Sequence, residues 1–226
     1  MTCPLCNGAK MRVVVAVHQP TGKKILKTNP CPCYVSELVS DTCELLKSWR
    51  NEWVPLNKID VRLQFDPQEL PKVPNYIIRG NYGSFCLSIK SLMMAHRFDE
   101  VSVPILFCRS IDILHDYYVQ QKDGTSPQIS DTDMFSLIAI CMDTEEKNTM
   151  LKTVIAQVIQ TRLRDRKPTW LYLPDNRQSL SACTQEYSPE LEVYTAGYQK
   201  IELIGRQNAG PVSVNRDDAA NFGRAQ

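Results

Sequence analysis

Tyr76-Ile77-Ile78-Arg79-Gly80-Asn81-Tyr82-Gly83-Ser84-Phe85-Cys86-Leu87 decides how the rest of this chain is read. The apolar start makes a short buried strand, and the two glycines make a tight turn. From Phe85 to Arg97 apolar side chains recur at helical spacing (Ile89, Leu92, Met93, Ala95). A strand that turns through glycines into a helix is the opening unit of a parallel α/β sheet. The residues that follow repeat the unit. Val101–Cys108 reads as a strand and Ile111–Gln121 as a helix, with a polar loop from Lys122 to Asp131. Phe135–Met142 is a strongly apolar strand of the kind buried on both faces. Thr149–Arg166 reads as a long helix, and Thr169–Leu173 and Gln199–Ile204 as two further strands. This alternation implies right-handed crossovers and a parallel sheet covered by helices.

The turn at Gly80 lies where such a sheet holds a ligand, at the carboxyl ends of its strands. A phosphate-cradling loop needs glycines for close backbone approach, then a lysine for the phosphates and a hydroxyl for magnesium as the helix opens. The frame Gly80-Asn81-Tyr82-Gly83-Ser84 fits, but the next residues are Phe85, Cys86 and Leu87: the lysine position is Cys86 and the hydroxyl position is Leu87. Lys90 lies one helical turn too far on. Magnesium-dependent hydrolysis also needs carboxylates at the end of an apolar strand. The strand that should carry them ends in Cys141-Met142, with Asp143, Glu145 and Glu146 beyond it. No arginine stands between Arg177 and Arg206, so that stretch supplies no arginine finger. ATP turnover is therefore not expected. Taken alone, Gly80–Ser84 is equally a ligand-free turn, and Cys86 is either a thiol acidified by a helix amino terminus or a buried apolar one.

Working outward to the amino terminus, the composition changes. Cys3-Pro4-Leu5-Cys6-Asn7-Gly8 is a knuckle, with two residues between thiols that can point at one ion. Met11–Val17 and Lys23–Lys27 read as two strands joined by His18–Gly22, and Pro30-Cys31-Pro32-Cys33 returns the second thiol pair beside the first. A hairpin between two cysteine pairs is the layout of a zinc ribbon, with Cys3, Cys6, Cys31 and Cys33 holding structural Zn2+. Four reduced thiols or an iron–sulfur cluster are the alternatives. His18, on the turn, reads as a solvated residue. Val35–Trp49 is compatible with an amphipathic helix, and Lys58–Leu70 with a linker that holds one short strand at Val61, Leu63 and Phe65. The expected divisions are 1–34 (zinc ribbon), 35–74 (helix and linker), 75–205 (α/β domain) and 206–226 (flexible tail).

The 226 residues carry a net charge of +1, so attraction to nucleic acid would have to come from a local patch. One candidate face joins Lys10, Arg12, Lys23, Lys24 and Lys27 of the ribbon to Arg162, Arg164, Arg166 and Lys167; the plainer reading of the second group is the solvated end of a helix. Trp49 and Trp53 either dock a partner or pack on the linker. His96 and His115 have no acid or nucleophile beside them in sequence. Nine cysteines, an odd number with no apolar leader, suggest a reducing, cytoplasmic setting, and no apolar run is long enough to span a bilayer.

In order and layout these features resemble the DnaC-like and IstB-like helicase-loader ATPases of the AAA+ class, including the phage and mobile-element members with an amino-terminal zinc ribbon. The resemblance runs from Cys3 to about Gly205. It rests on Cys3-Pro4-Leu5-Cys6, Cys31-Pro32-Cys33, Ile78–Gly83, Leu137–Ile140 and Arg166-Lys167-Pro168-Thr169-Trp170, the last resembling the approach to a sensor strand with Asp175 or Asn176 at its end. It implies a zinc ribbon followed by an AAA+-like parallel sheet flanked by helices. The family binds ATP, a replicative helicase and single-stranded DNA. The departures at Phe85, Cys86, Leu87, Cys141 and Met142 leave an expected pseudo-ATPase that docks a helicase or an AAA+ paralogue in DNA replication or mobile-element maintenance. The alternative expectation is a zinc-ribbon module that binds single-stranded DNA.

Overall fold

The computed structural model describes residues 3–17, 21–96, 103–122, 134–142, 149–174 and 189–203. His18, Asp143, Glu145, Glu146, Asp175, Asn176 and the tail 206–226 lie outside them.

Two strands, β1 (Met11–Val17) and β2 (Lys24–Pro30), pair antiparallel from Met11 opposite Pro30 to Val17 opposite Lys24. Helix α1 (Pro32–Thr42) follows at once. Its amino-terminal proline suits a position whose amide has no helical partner, and Cys31 is the residue that precedes it. The helix stops sooner than its pattern suggests. Cys43 takes an extended conformation, its thiol donates to the Phe107 carbonyl, and Glu44–Trp49 continues as a 3-10 helix. Residues 61–63 are a 3-10 turn rather than a strand, because the Asp60 carboxylate accepts from the Arg62 amide and starts a helical turn. Pro67–Lys72 is a further 3-10 segment, capped by Asp66 in the same way.

The sheet of the main body is parallel throughout, in the order β4-β5-β6-β3-β7, with β3 (Tyr76–Gly80), β4 (Ile105–Arg109), β5 (Leu137–Cys141), β6 (Thr169–Tyr172) and β7 (Gln199–Leu203). Helices α2 (Tyr82–His96), α3 (Ser110–Lys122) and α4 (Thr149–Arg164) alternate with the strands, as the sequence predicts for a parallel α/β domain. A short helix α5 (Pro189–Thr195), which the sequence reading did not anticipate, precedes β7.

Two apolar clusters lie on the two faces of the sheet. One joins Ile77, Ile138, Ile140 and Leu171 to Val154, Ile155, Val158 and Ile159 of α4. The other joins Ile78, Ala139, Trp170 and Ile201 to Phe85 and Ile89 of α2, and also to Val35, Val39, Leu46, Val54, Ile59 and Leu63. The segment between ribbon and sheet is thus a third layer over one face of the sheet. No helix among the described residues is long and apolar enough to cross a membrane.

Candidate metal centre and the crevice at Gly80

The four amino-terminal thiols converge. Their sulfurs all lie within 4.8 Å of one another, with Cys3 Sγ 3.8 Å from Cys31 Sγ and Cys6 Sγ 3.6 Å from Cys33 Sγ. A tetrahedral zinc ion with about 2.3 Å bonds to sulfur puts its ligands roughly 3.75 Å apart, which these distances match. An iron–sulfur cluster interposes several atoms between its thiolates and needs wider spacing. The backbone builds the knuckle through Asn7, Gly8 and Lys10, all with left-handed φ, and through the Asn7 and Ala9 amides, which donate to the Cys3 and Cys6 carbonyls. Burial pushes the Cys6 thiol up, but a hydrogen bond with Cys33 and the Lys10 and Gly8 amides outweigh it and hold it at about 7. Cys31 and Cys33 are pushed the other way, mainly by burial. A bound cation's own charge would draw the protons off all four thiols. The residues fit a single tetrahedral ion.

The turn at Gly80 is built for close approach, but what approaches is the chain itself. Gly80 has φ +99°, and a β-carbon there would sit 2.1 Å from the Leu203 carbonyl oxygen of β7. The Asn81 amide donates to that same carbonyl at 3.1 Å. At the start of α2, where a phosphate would accept from free amides, the Asn81 side-chain oxygen accepts from the Ser84 amide at 2.8 Å, and the Asn81 carbonyl accepts from Phe85. Over Gly83 lies Trp49: a β-carbon on Gly83 would stand 2.8 Å from the edge of the indole ring.

Below the turn the space is aromatic. Phe85 stacks on Tyr172 (centroids 4.7 Å apart, planes 13° apart) and meets Phe107 edge-on at 5.4 Å. The Tyr172 hydroxyl donates to the Gly80 carbonyl at 2.6 Å, and its ring lies 5.5 Å from that of Tyr82. Cys86, in the lysine position, is fully buried, and burial pushes its thiol up to about 12; Leu87, in the hydroxyl position, packs against the same core. At the carboxylate positions Cys141 and Met142 are buried, and the Met142 amide donates to the Tyr172 carbonyl. The buried-thiol reading of Cys86 is the one the structure supports.

Lys90 does not reach into the crevice. Its side chain is fully buried and donates to the Trp49 carbonyl, to that of Arg50 at 3.2 Å and to that of Glu52 at 2.5 Å. Ser91 Oγ donates to the Val54 carbonyl and Ser36 Oγ to the Arg50 carbonyl at 2.6 Å, so residues 49–54 are stitched to both α2 and α1. Trp49 and Trp53 are partly buried and pack on the core, which is the packing alternative of the two expected for them. Neither Trp49 over Gly83 nor the Lys90 clamp carries a local sequence signal, because the partners lie 34 and about 40 residues apart.

The basic residues expected from the sequence to share one face differ in their surroundings. Arg162 is fully buried: its guanidinium donates to Thr169 Oγ1 and to the carbonyls of Phe135, Ser136 and Pro168, tying the end of α4 to the starts of β5 and β6. It is a structural cation and leaves the set of nucleic-acid contacts. Arg164 and Arg166 are exposed and Lys167 half-buried, whereas Lys10 is paired with Glu37 at 3.1 Å and Lys23, Lys24 and Lys27 lie exposed on the ribbon. Arg12, on β1, is half-buried.

No protein-family model matches the chain, and no curated protein does. Solved structures similar to it include a DNA replication initiation factor (15% identity, TM-score 0.47, 61% of this chain and 42% of that one). They also include the DnaC helicase loader (12%, 0.48, 63% and 83%) and domain III of the replication initiation protein DnaA from Thermotoga maritima (14%, 0.47, 61% and 59%). The chain thus spans less than half the length of the first of these.

Proposed function

We propose that this protein is a non-catalytic, helicase-loader-like docking adaptor of DNA replication or mobile-element maintenance, with a zinc-stabilised ribbon. The observation that carries the proposal is the Trp49 ring seated on Gly83. It covers the turn at which a nucleotide's phosphates would enter, above a floor of Phe85, Tyr172 and buried Cys86. A phosphate site needs free amides, an amine and a dry cavity shaped for the ligand. In this chain the Asn81, Ser84 and Phe85 amides are engaged, the nearest amine serves backbone carbonyls, and the volume holds aromatic rings. Removing a triphosphate's hydration shell without those partners costs far more than aromatic contact returns. The work left to such a sheet is to hold surfaces in fixed relation to one another.

The test is calorimetric titration of the full, metal-loaded chain with magnesium ATP, alongside phosphate release at saturating nucleotide. We expect no heat of binding at millimolar ATP and no release above a buffer blank. Binding in the micromolar range, or turnover abolished by Gly83→Asp, would overturn the proposal.

A further inference from the structure

The ribbon leaves one face of its two strands apolar and uncovered among the described residues. Along β1 exposure alternates, and the outward set is Met11, Val13, Val15 and Val17, the last three exposed by 66%, 65% and 58%. Directly across from Val15 is Leu26, exposed by 76%, and across from Val17 is Lys24. Isolated exposed aliphatics need no explanation, but a contiguous row of them on one face marks a binding surface. The charge around the row has one sign. Residues 1–36 contain no aspartate or glutamate, while Lys10, Arg12, Lys23, Lys24 and Lys27 all fall within them. Lys10 is paired with Glu37; among the described residues no ion pair engages Lys23, Lys24 or Lys27, of which Lys24 stands opposite Val17 on the row's own face, with Lys23 next to it in the chain, while Lys27, opposite Val14, is on the other face.

These two facts select an occupant. A second copy would bring the same cations against this face, which disfavours self-association. The chain's own residues 204–226 carry three arginines against two aspartates, so they offer neither an acidic nor an amphipathic segment. Single-stranded nucleic acid would meet the charge but not the row, because bases stack on aromatic rings and the described residues of this face include none. A protein segment with an aliphatic stripe between acidic flanks satisfies both. From Met11 to Val17 the row is roughly 20 Å long at about 3.3 Å per residue, the length of a helix of about 13 residues.

We infer that this face of the ribbon binds an acidic amphipathic helix of a partner protein, its aliphatic stripe on Val13, Val15 and Leu26 and its carboxylates at the hairpin end, toward Lys23 and Lys24. The inference rests on the docking role proposed above and names its partner chemistry.

The probe is a fluorescein-labelled designed helical peptide of about 16 residues with leucines at i, i+4, i+7 and i+11 and glutamates beside them. It is titrated with the full, zinc-loaded chain and followed by anisotropy. Controls are the same peptide with lysine for glutamate, and an oligothymidylate. We expect saturable binding that falls about tenfold for the Val15→Thr/Leu26→Thr chain and as much for the lysine peptide, and that weakens as salt screens the lysines. Threonine keeps the strand preference, and zinc content with far-ultraviolet circular dichroism shows that the variant ribbon is intact. Absence of saturable binding, equal affinity for the Val15→Thr/Leu26→Thr chain, or tighter binding of oligothymidylate overturns the inference. Magnesium ATP is titrated in parallel: a chain that binds ATP and still takes the peptide on this face refutes the pseudo-ATPase reading and leaves the docking surface standing.

Discussion

Gly83→Ala reverses the sign of its effect on stability according to what stands at position 49. Gly83 is in the first turn of α2 with a backbone that alanine accepts, so the substitution by itself gains about 0.5–1 kcal/mol by restricting the unfolded chain. Against that gain stands the Trp49 ring. The new methyl would be 2.8 Å from the indole edge, where ordinary contact begins at 3.4 Å, so the ring must retreat by at least about 0.6 Å. It cannot retreat with its backbone, because Lys90 holds the Trp49, Arg50 and Glu52 carbonyls; the strain falls on side-chain torsions and costs roughly 2 kcal/mol. The net effect in the wild-type background is a loss of about 1 kcal/mol. In a Trp49→Ala background the same substitution gains about 0.5–1 kcal/mol, a coupling near 2 kcal/mol that far exceeds ordinary non-additivity. Urea unfolding of the four proteins, read by circular dichroism because the tryptophan signal itself is changed, measures it. A stabilising Gly83→Ala in both backgrounds, or a coupling below about 0.5 kcal/mol, refutes the placement of Trp49 over the turn.

The purified chain should carry one zinc per molecule by mass spectrometry, and Cys33→Ser should lose it together with the strand signal of residues 11–30, because the ribbon's exposed valines supply no core of their own. Arg162→Met should cost about 3–5 kcal/mol by leaving buried acceptors unpaired, whereas Arg164→Gln and Arg166→Gln should stay within about 0.5 kcal/mol; equal small effects at all three sites would contradict the buried role. Burial holds Lys90 at about 8 against an ordinary 10.5, so between those values the unfolded chain binds more protons and this residue's contribution to stability rises with pH. Wild type should therefore gain relative to Lys90→Met across that window in parallel denaturation curves, and a parallel pair of curves counts against it.

What could be read from residues alone is what local chemistry encodes. The metal centre was legible because each half of its ligand set lies within four residues and a knuckle has few other uses. The sheet strands were legible because a strand buried on both faces must be apolar without interruption, as Leu137–Cys141 is. Helix α1 was overextended because apolar spacing continues through Leu45, Leu46 and Trp49, and only the tertiary bond from Cys43 to the Phe107 carbonyl breaks it. At Val61, Leu63 and Phe65 alternation imitated a strand, and the Asp60 cap was the overlooked sign. Arg162 was misread with its neighbours because a charge run on a helix does not reveal which member faces inward; the carbonyls that bind it come from residues that fold beside it. The absent lysine at Cys86 was visible at once, but what fills the space was not: Trp49 arrives from a segment that looks like a linker.

That segment explains how a sheet without its ligand contacts could still serve a purpose. In a nucleotide-dependent relative of such a fold, bound phosphate would fix the turn at Gly80 and the helix that follows. Here the same positions are fixed from within: Asn81 caps α2, Leu203 receives the turn, Trp49 covers it, and Lys90 gathers the chain that carries Trp49. The other end of that chain is α1, tied by Ser36 to the Arg50 carbonyl and starting at Cys31 and Cys33. Helix α1, the covering segment and the sheet therefore form a continuous train of buried contacts. Loosening that train at Lys90 should leave metal content and peptide binding intact while quickening hydrogen exchange in residues 44–54 and the first turn of α2 together. Faster exchange in only one of the two would mean that the covering segment and the turn are not held as a unit.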